Sequence, residues 1–201
     1  MQTPAFACRS ASVLAAGIVL LTVPVTAGPQ ENPASWLDRP LVNWNKAGEP
    51  VPGAPAGDEP TASVISGCKL TPPRSTMAER AIESAGWIPF WSFDQQLVRE
   101  DVEIVGGMRG ADGMCRPLTY NLFVFVRGQF AGRLSPASMG SRLDSSSGIV
   151  RMALPVVTTE FARYRSNDPL CCPSSRVTVR YRIDRTTGPV VVPIEVRTTR
   201  P

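Results

Sequence analysis

Histidine is missing altogether from the 201 residues. Its absence removes the commonest general base, the serine–histidine–acid triad and every histidine-ligated metal site. Lysine is nearly missing too: Lys46 and Lys69 are the only two, so arginine carries the positive charge. Long apolar runs reduce to one, Ala11 to Val25, which falls short of the roughly 20 residues a membrane span needs. Any catalysis would have to rest on carboxylates, lysine, tyrosine or cysteine.

A single charge, Arg9, precedes that apolar run, and Val25-Thr26-Ala27 places small or branched residues where a signal peptidase reads. Residues 1–27 therefore read as a secretory signal peptide cleaved after Ala27. Cys8 precedes the run and no cysteine follows it at the cleavage point, so no lipid-anchor site is expected, and the mature protein is expected to carry no transmembrane span. Loss of Arg9 leaves 20 basic residues, one fewer than the 21 of the whole chain, against 17 acidic ones. So small an excess gives no reason to expect nucleic acid as a partner.

Four cysteines remain, Cys68, Cys115, Cys171 and Cys172. An even count in a short exported chain reads as a disulfide framework, here with three possible pairings. Adjacent cysteines joined directly need a distorted eight-membered ring, so the expected pattern bridges Cys68 and Cys115 each to one member of the Cys171-Cys172 pair. The alternative is a vicinal redox switch or soft-metal site at Cys171-Cys172.

Residues 28–60 are rich in proline and glycine and cannot form a core by themselves. They read as a tail, partly docked or disordered. Trp36 and Trp44 interrupt it, and large apolar side chains of this kind are normally buried, so the tail is expected to cover part of the domain behind it. Residues 61–201 then form a single domain without repeats.

Within the domain, Thr76-Met77-Ala78-Glu79 is a capping box. Ala78, Ala81, Ile82 and Ala85 share one face of the short helix that follows, and Gly86 supplies its left-handed stop. Strands are expected over 87–93, 97–105, 120–126, 129–134, 149–155, 158–164, 177–183 and 190–196. Arg127-Gly128 marks a hairpin turn. Gly106 to Gly113 lacks the lysine and the helix of a phosphate loop and reads as a long, mobile hairpin loop ending at Cys115. Pro189 and Pro193 place the last strand at a sheet edge.

Few residues point to chemistry. Ser66-Gly67-Cys68-Lys69 has a serine–lysine spacing, but Thr71-Pro72-Pro73 denies it the helix that would set the two side chains one turn apart. Glu79 and Glu83 read as a solvated helix face, and Asp101 and Glu103 as surface. Arg176, Arg180 and Arg182 project from one strand face, where they either pair across the sheet with Glu195 or present a forked anion site.

The segments Cys115-Arg116-Pro117, Phe123 to Gly132, Asp168 to Pro173 and Val177-Thr178-Val179-Arg180-Tyr181-Arg182 resemble the LppP/LprE family of bacterial envelope proteins. The resemblance covers roughly half the chain. It implies an envelope location and no catalytic residues, and the chain departs from the family by lacking a lipobox. The expected fold is α+β, predominantly antiparallel β-sheet with one short N-terminal amphipathic helix, stabilised by disulfides. The expected role is a non-catalytic periplasmic or extracellular binding module for an envelope component, whether protein, glycan or lipid surface, without a cofactor. The alternatives are a thiol-redox protein using Cys171-Cys172 and a carboxylate-based hydrolase.

Overall fold

Alternating apolar and polar residues force most of this chain into half-buried strands, and two antiparallel sheets result. The computed structural model describes residues 35–70, 75–90, 97–140, 146–165, 167–169 and 171–199, with the backbone alone at 146–149. The first sheet contains β1 (Ile88–Phe90), β2 (Leu97–Arg99), β3 (Val102–Ala111), β4 (Pro117–Val126) and β5 (Gln129–Arg133). β1 and β2 both pair with one edge of β3, followed by β4 and β5. The second sheet is a meander of β6 (Ser146–Ala153), β7 (Val156–Arg163), β8 (Ser175–Asp184) and β9 (Val190–Thr199).

The two sheets pack face to face. Val102, Ile104, Leu122 and Val124 from the first share one core with Val157, Phe161, Val179 and Tyr181 from the second. The Tyr181 hydroxyl donates to the Leu134 carbonyl, which joins the layers with a buried hydrogen bond. The opposite face of the first sheet is covered as well. Val105, Phe123 and Phe125 meet Ala78, Ile82 and Trp87 in a second cluster. Burial on both faces explains why Tyr120 to Val126 is buried without interruption, the mark of a central strand. β8 instead alternates strictly, with Val177, Val179, Tyr181 and Ile183 buried and Arg176, Arg180 and Arg182 exposed. The second sheet therefore has one face on the core and one open.

Helix α2 (Met77–Ser84) starts with the expected capping box: Glu79 N–H donates to Thr76 Oγ1 at 3.1 Å, and Thr76 N–H to Glu79 Oε2 at 3.0 Å. It stops as expected too. Gly86 has φ +85°, and the Trp87 N–H donates to the Ile82 carbonyl at 3.1 Å, closing a Schellman turn. A second short helix, α1 (Ala62–Gly67), was not expected. Thr61 caps it, and Lys69 beyond it takes a left-handed φ of +51°, so Ser66 and Lys69 do not share a helix turn.

Most of the stretch expected as a mobile loop, Gly106 to Ala111, is the second half of β3, and only Asp112-Gly113 belong to the turn that follows. Gly106, Gly107 and Gly110 lie in β3 and pair with β4. A side chain there has no room: a Cβ on Gly106 or Gly107 would lie 2.7 Å from the Phe90 or Phe123 ring, and one on Gly110 would lie 1.8 Å from the Asp58 carbonyl oxygen. These glycines mark close approach of other groups to the sheet.

Asp58 belongs to the proline-rich segment, whose described part, residues 35–60, runs along the body. Trp36 stacks edge-on against Trp44 and Phe161, with centroids 5.1 and 5.3 Å apart, and Trp44 against Tyr181 at 6.2 Å. Buried Asn45 is the pivot. Its Nδ2 donates to the Arg133 carbonyl of β5 and the Val191 carbonyl of β9, and its Oδ1 accepts from the Arg133 N–H, so one side chain ties together the adjoining edges of the two sheets. Further on, Pro52 O accepts from Trp87 Nε1 at 2.8 Å, and Ala54 N–H donates to the Ala85 carbonyl.

Candidate functional site

The open face of the second sheet is built by register. Arg151 on β6 lies opposite Thr158 on β7, Thr158 opposite Arg180 on β8, and Arg180 opposite Glu195 on β9. In the neighbouring row Glu160, Thr178 and Arg197 face one another across β7, β8 and β9. A bulge opposite Arg180/Tyr181 leaves Ile194 unpaired and sets both Glu195 and Arg197 on the open side.

Each glutamate serves two arginines. Glu160 pairs with Arg176 at 3.5 Å and Arg151 at 3.9 Å. Glu195 pairs with Arg180 at 2.8 Å and also with Arg197. The two guanidinium groups hold the Glu195 carboxyl below its usual range, Arg180 contributing more than Arg197. Arg182 makes no ion pair among the described residues. The side chains of Arg151, Arg176, Arg180 and Arg197 remain 71, 50, 44 and 73% exposed, so much of each guanidinium fork still faces water. Pairs this exposed are screened by water and contribute little, which makes them weak as staples for the sheet. The structure thus brings Arg176, Arg180 and Arg182 to one face, as expected, and adds Arg151, Arg197 and Glu160. The missing signal was strand register, which sequence spacing does not carry.

The cysteines are paired otherwise than expected. Cys68 bonds to Cys115, and Cys171 to Cys172. Cys68 caps the end of α1 and Cys115 sits between β3 and β4, with their Cα atoms 5.4 Å apart, inside the range a bridge requires. Cys171 and Cys172 lie between β7 and β8, in the other sheet, so neither meets the first pair. The expected cross-links to the Cys171-Cys172 pair are therefore corrected to one long-range bridge and one vicinal bridge. The vicinal cysteines are exposed. Asp168 organises their loop, accepting from the Arg165 and Ser174 N–H groups at 2.7 and 2.8 Å and from the Ser174 hydroxyl, which holds its carboxyl below the usual range.

Carboxylates read as surface are more involved than that. Asp101 takes a two-pronged contact from Arg185 at 2.6 and 2.8 Å and another from Arg127 at 3.1 Å. The Arg185 hydrogen bond is the main force that lowers its pKa to about 2. Glu103 is partly buried beside Thr76 and Glu79, and burial pushes its carboxyl upward, with repulsion from Glu79 adding to it. Glu79 itself is buried, not solvated, and its Oε2 accepts from Ser75 N–H at 2.6 Å as well as from Thr76. These acids have structural tasks: one clamps two turns, and another starts a helix.

No helix among the described residues is long and apolar enough to cross a membrane. Residues 100–186 match the model of the LppP/LprE lipoprotein family, a span that runs from the start of β3 to the turn after β8. No curated protein and no solved structure matches the chain. The family match implies an envelope-associated protein.

Proposed function

We propose that this chain is an exported, non-catalytic protein of the bacterial cell envelope that acts by binding. The observation that carries the reading is the lipoprotein-family match over β3 to β8, the strands that form the body of both sheets. The leader-like first 27 residues agree with it. In this reading the mature chain starts at Gly28, works in the periplasm or outside the cell, and uses its open arginine-bearing face for contact. Expression of the full chain in a bacterium, followed by cell fractionation and intact-mass measurement, tests the export and the location. A mass starting at Gly28 in the envelope or periplasmic fraction is expected. A full-length protein confined to the cytoplasm overturns the reading.

A second reading, thiol chemistry at Cys171-Cys172, is favoured by one observation: the pair is exposed and bonded to itself. Two electrons and two protons from a dithiol partner would convert it to two thiols. Alkylation under mild reduction tests it. The redox reading expects Cys171 and Cys172 to react while Cys68 and Cys115 stay protected; equal protection of all four contradicts it.

A further inference from the structure

We propose that the open face of the second sheet docks on an anionic phospholipid surface. The inference rests on the envelope reading above and names the partner of that face. It starts from charge. The outward positions of β6 to β9 hold five arginines, Arg151, Arg176, Arg180, Arg182 and Arg197, against Glu160, Glu195 and, at the turn end of β8, Asp184. Asp184 is occupied by its own turn, accepting from the Thr186 N–H and hydroxyl at 2.9 and 2.6 Å. The two glutamates neutralise half of the four arginines they touch, and their shared pairing holds those guanidinium groups in place at little cost in exposure.

Geometry decides the kind of anion. A row from Arg151 through Thr158 and Arg180 to Glu195 crosses all four strands, about 14 Å at the usual strand spacing. Guanidinium forks match phosphate oxygens two at a time, which an ammonium does not. Thr158 and Thr178 put hydroxyl donors between the forks, and the apolar residues at least partly exposed around them are Val156, Val192 and Ile194. A surface of this composition suits an extended field of phosphates. Recognition of sugar rings relies on aromatic stacking, and the exposed positions of β7, β8 and β9 supply arginine, threonine, glutamate, valine and isoleucine but no aromatic side chain.

Association of this kind is reversible and fades as salt screens the charges. The purified protein is sedimented with vesicles of equal parts phosphatidylglycerol and phosphatidylcholine, with vesicles of phosphatidylcholine alone, and with phosphatidylglycerol vesicles in the presence of alginate, a soluble acidic polysaccharide. Binding is expected to the phosphatidylglycerol vesicles only, to weaken steadily with salt, and to withstand alginate at matched charge. Each arginine near a charged bilayer is expected to change the affinity roughly fivefold. The R180Q/R182Q variant should therefore bind roughly 25-fold more weakly with an unchanged thermal midpoint, and E160Q/E195Q should bind more tightly. A tail variant with the same loss of two positive charges, R39Q/K46Q, should bind like the parent. If R180Q/R182Q proves unstable, R151Q/R197Q answers the same question. Equal binding to neutral vesicles, no binding to either, displacement by alginate, or identical binding by R180Q/R182Q overturns the proposal. A protein that reaches the envelope but ignores phosphatidylglycerol refutes the lipid partner alone, whereas one retained in the cytoplasm refutes the envelope reading whatever it binds.

Discussion

Asn45 shows how much one side chain can carry when every atom of its amide is used. Its three hydrogen bonds satisfy two backbone groups of Arg133 and one of Val191, all where the sheets adjoin. Gly132, at φ +138°, leaves room for it; a Cβ there would sit 2.5 Å from the Asn45 side chain. Replacement by alanine strands the Arg133 N–H and the Val191 carbonyl, while Trp44 Nε1 still donates to the Arg133 carbonyl at 3.0 Å, so N45A should cost about 2–4 kcal/mol in urea unfolding. A loss below about 0.5 kcal/mol would show that water replaces the amide. Asp101 makes a prediction in pH. Its folded pKa of about 2 lies below the unfolded value of about 3.9, so its stabilisation is present above pH 4 and lost as pH falls toward 2. The parent should thus exceed D101N in thermal midpoint at neutral pH, and the two curves should converge near pH 2. Glu103 has the opposite sign. Its carboxyl is raised, so its ionisation costs stability as pH rises, and E103Q should gain midpoint at pH 7 while matching the parent in acid.

At the scale of elements, the parts written in local sequence were legible. The capping box, the Schellman stop, the alternation of β8 and the turn at Arg127-Gly128, where φ is +52° and +74°, all follow from neighbouring residues, whereas β9 buries Val191 and exposes Ile194, the reverse of what its alternation suggests. The parts set by distant neighbours were not. Gly106, Gly107 and Gly110 look like a loop until Phe90, Phe123 and the Asp58 backbone are placed against them. The cysteine pairing failed for the same reason, since it depends on α1 lying beside the β3–β4 turn. That bridge spans 47 residues, and closing such a loop in the unfolded chain predicts about 4 kcal/mol of stabilisation. C68S/C115S should lose most of it in urea unfolding, whereas C171S/C172S, which closes no long loop, should lose little. Equal losses would contradict the pairing.

For the whole molecule, the asymmetry of covering matters most. The first sheet is buried on one side by the second sheet and on the other by α2 and residues 51–54, while the second sheet leaves one side open. The arginines of the open face were legible as a stripe on β8. Glu195 on β9 was legible as their partner, but Arg151 on β6, Glu160 on β7 and Arg197 on β9 were not, because their company depends on register and on the bulge at Ile194. The central claim is that this face is where an exported protein meets its surroundings. The most direct test is salt extraction of the chain from the envelope fraction of cells that express it, comparing the parent with R180Q/R182Q and R39Q/K46Q. The account predicts that the parent and R39Q/K46Q sediment with the envelope at low salt and are released at high salt, while R180Q/R182Q is already in the supernatant. Sedimentation of R180Q/R182Q to the same extent as the parent would contradict it.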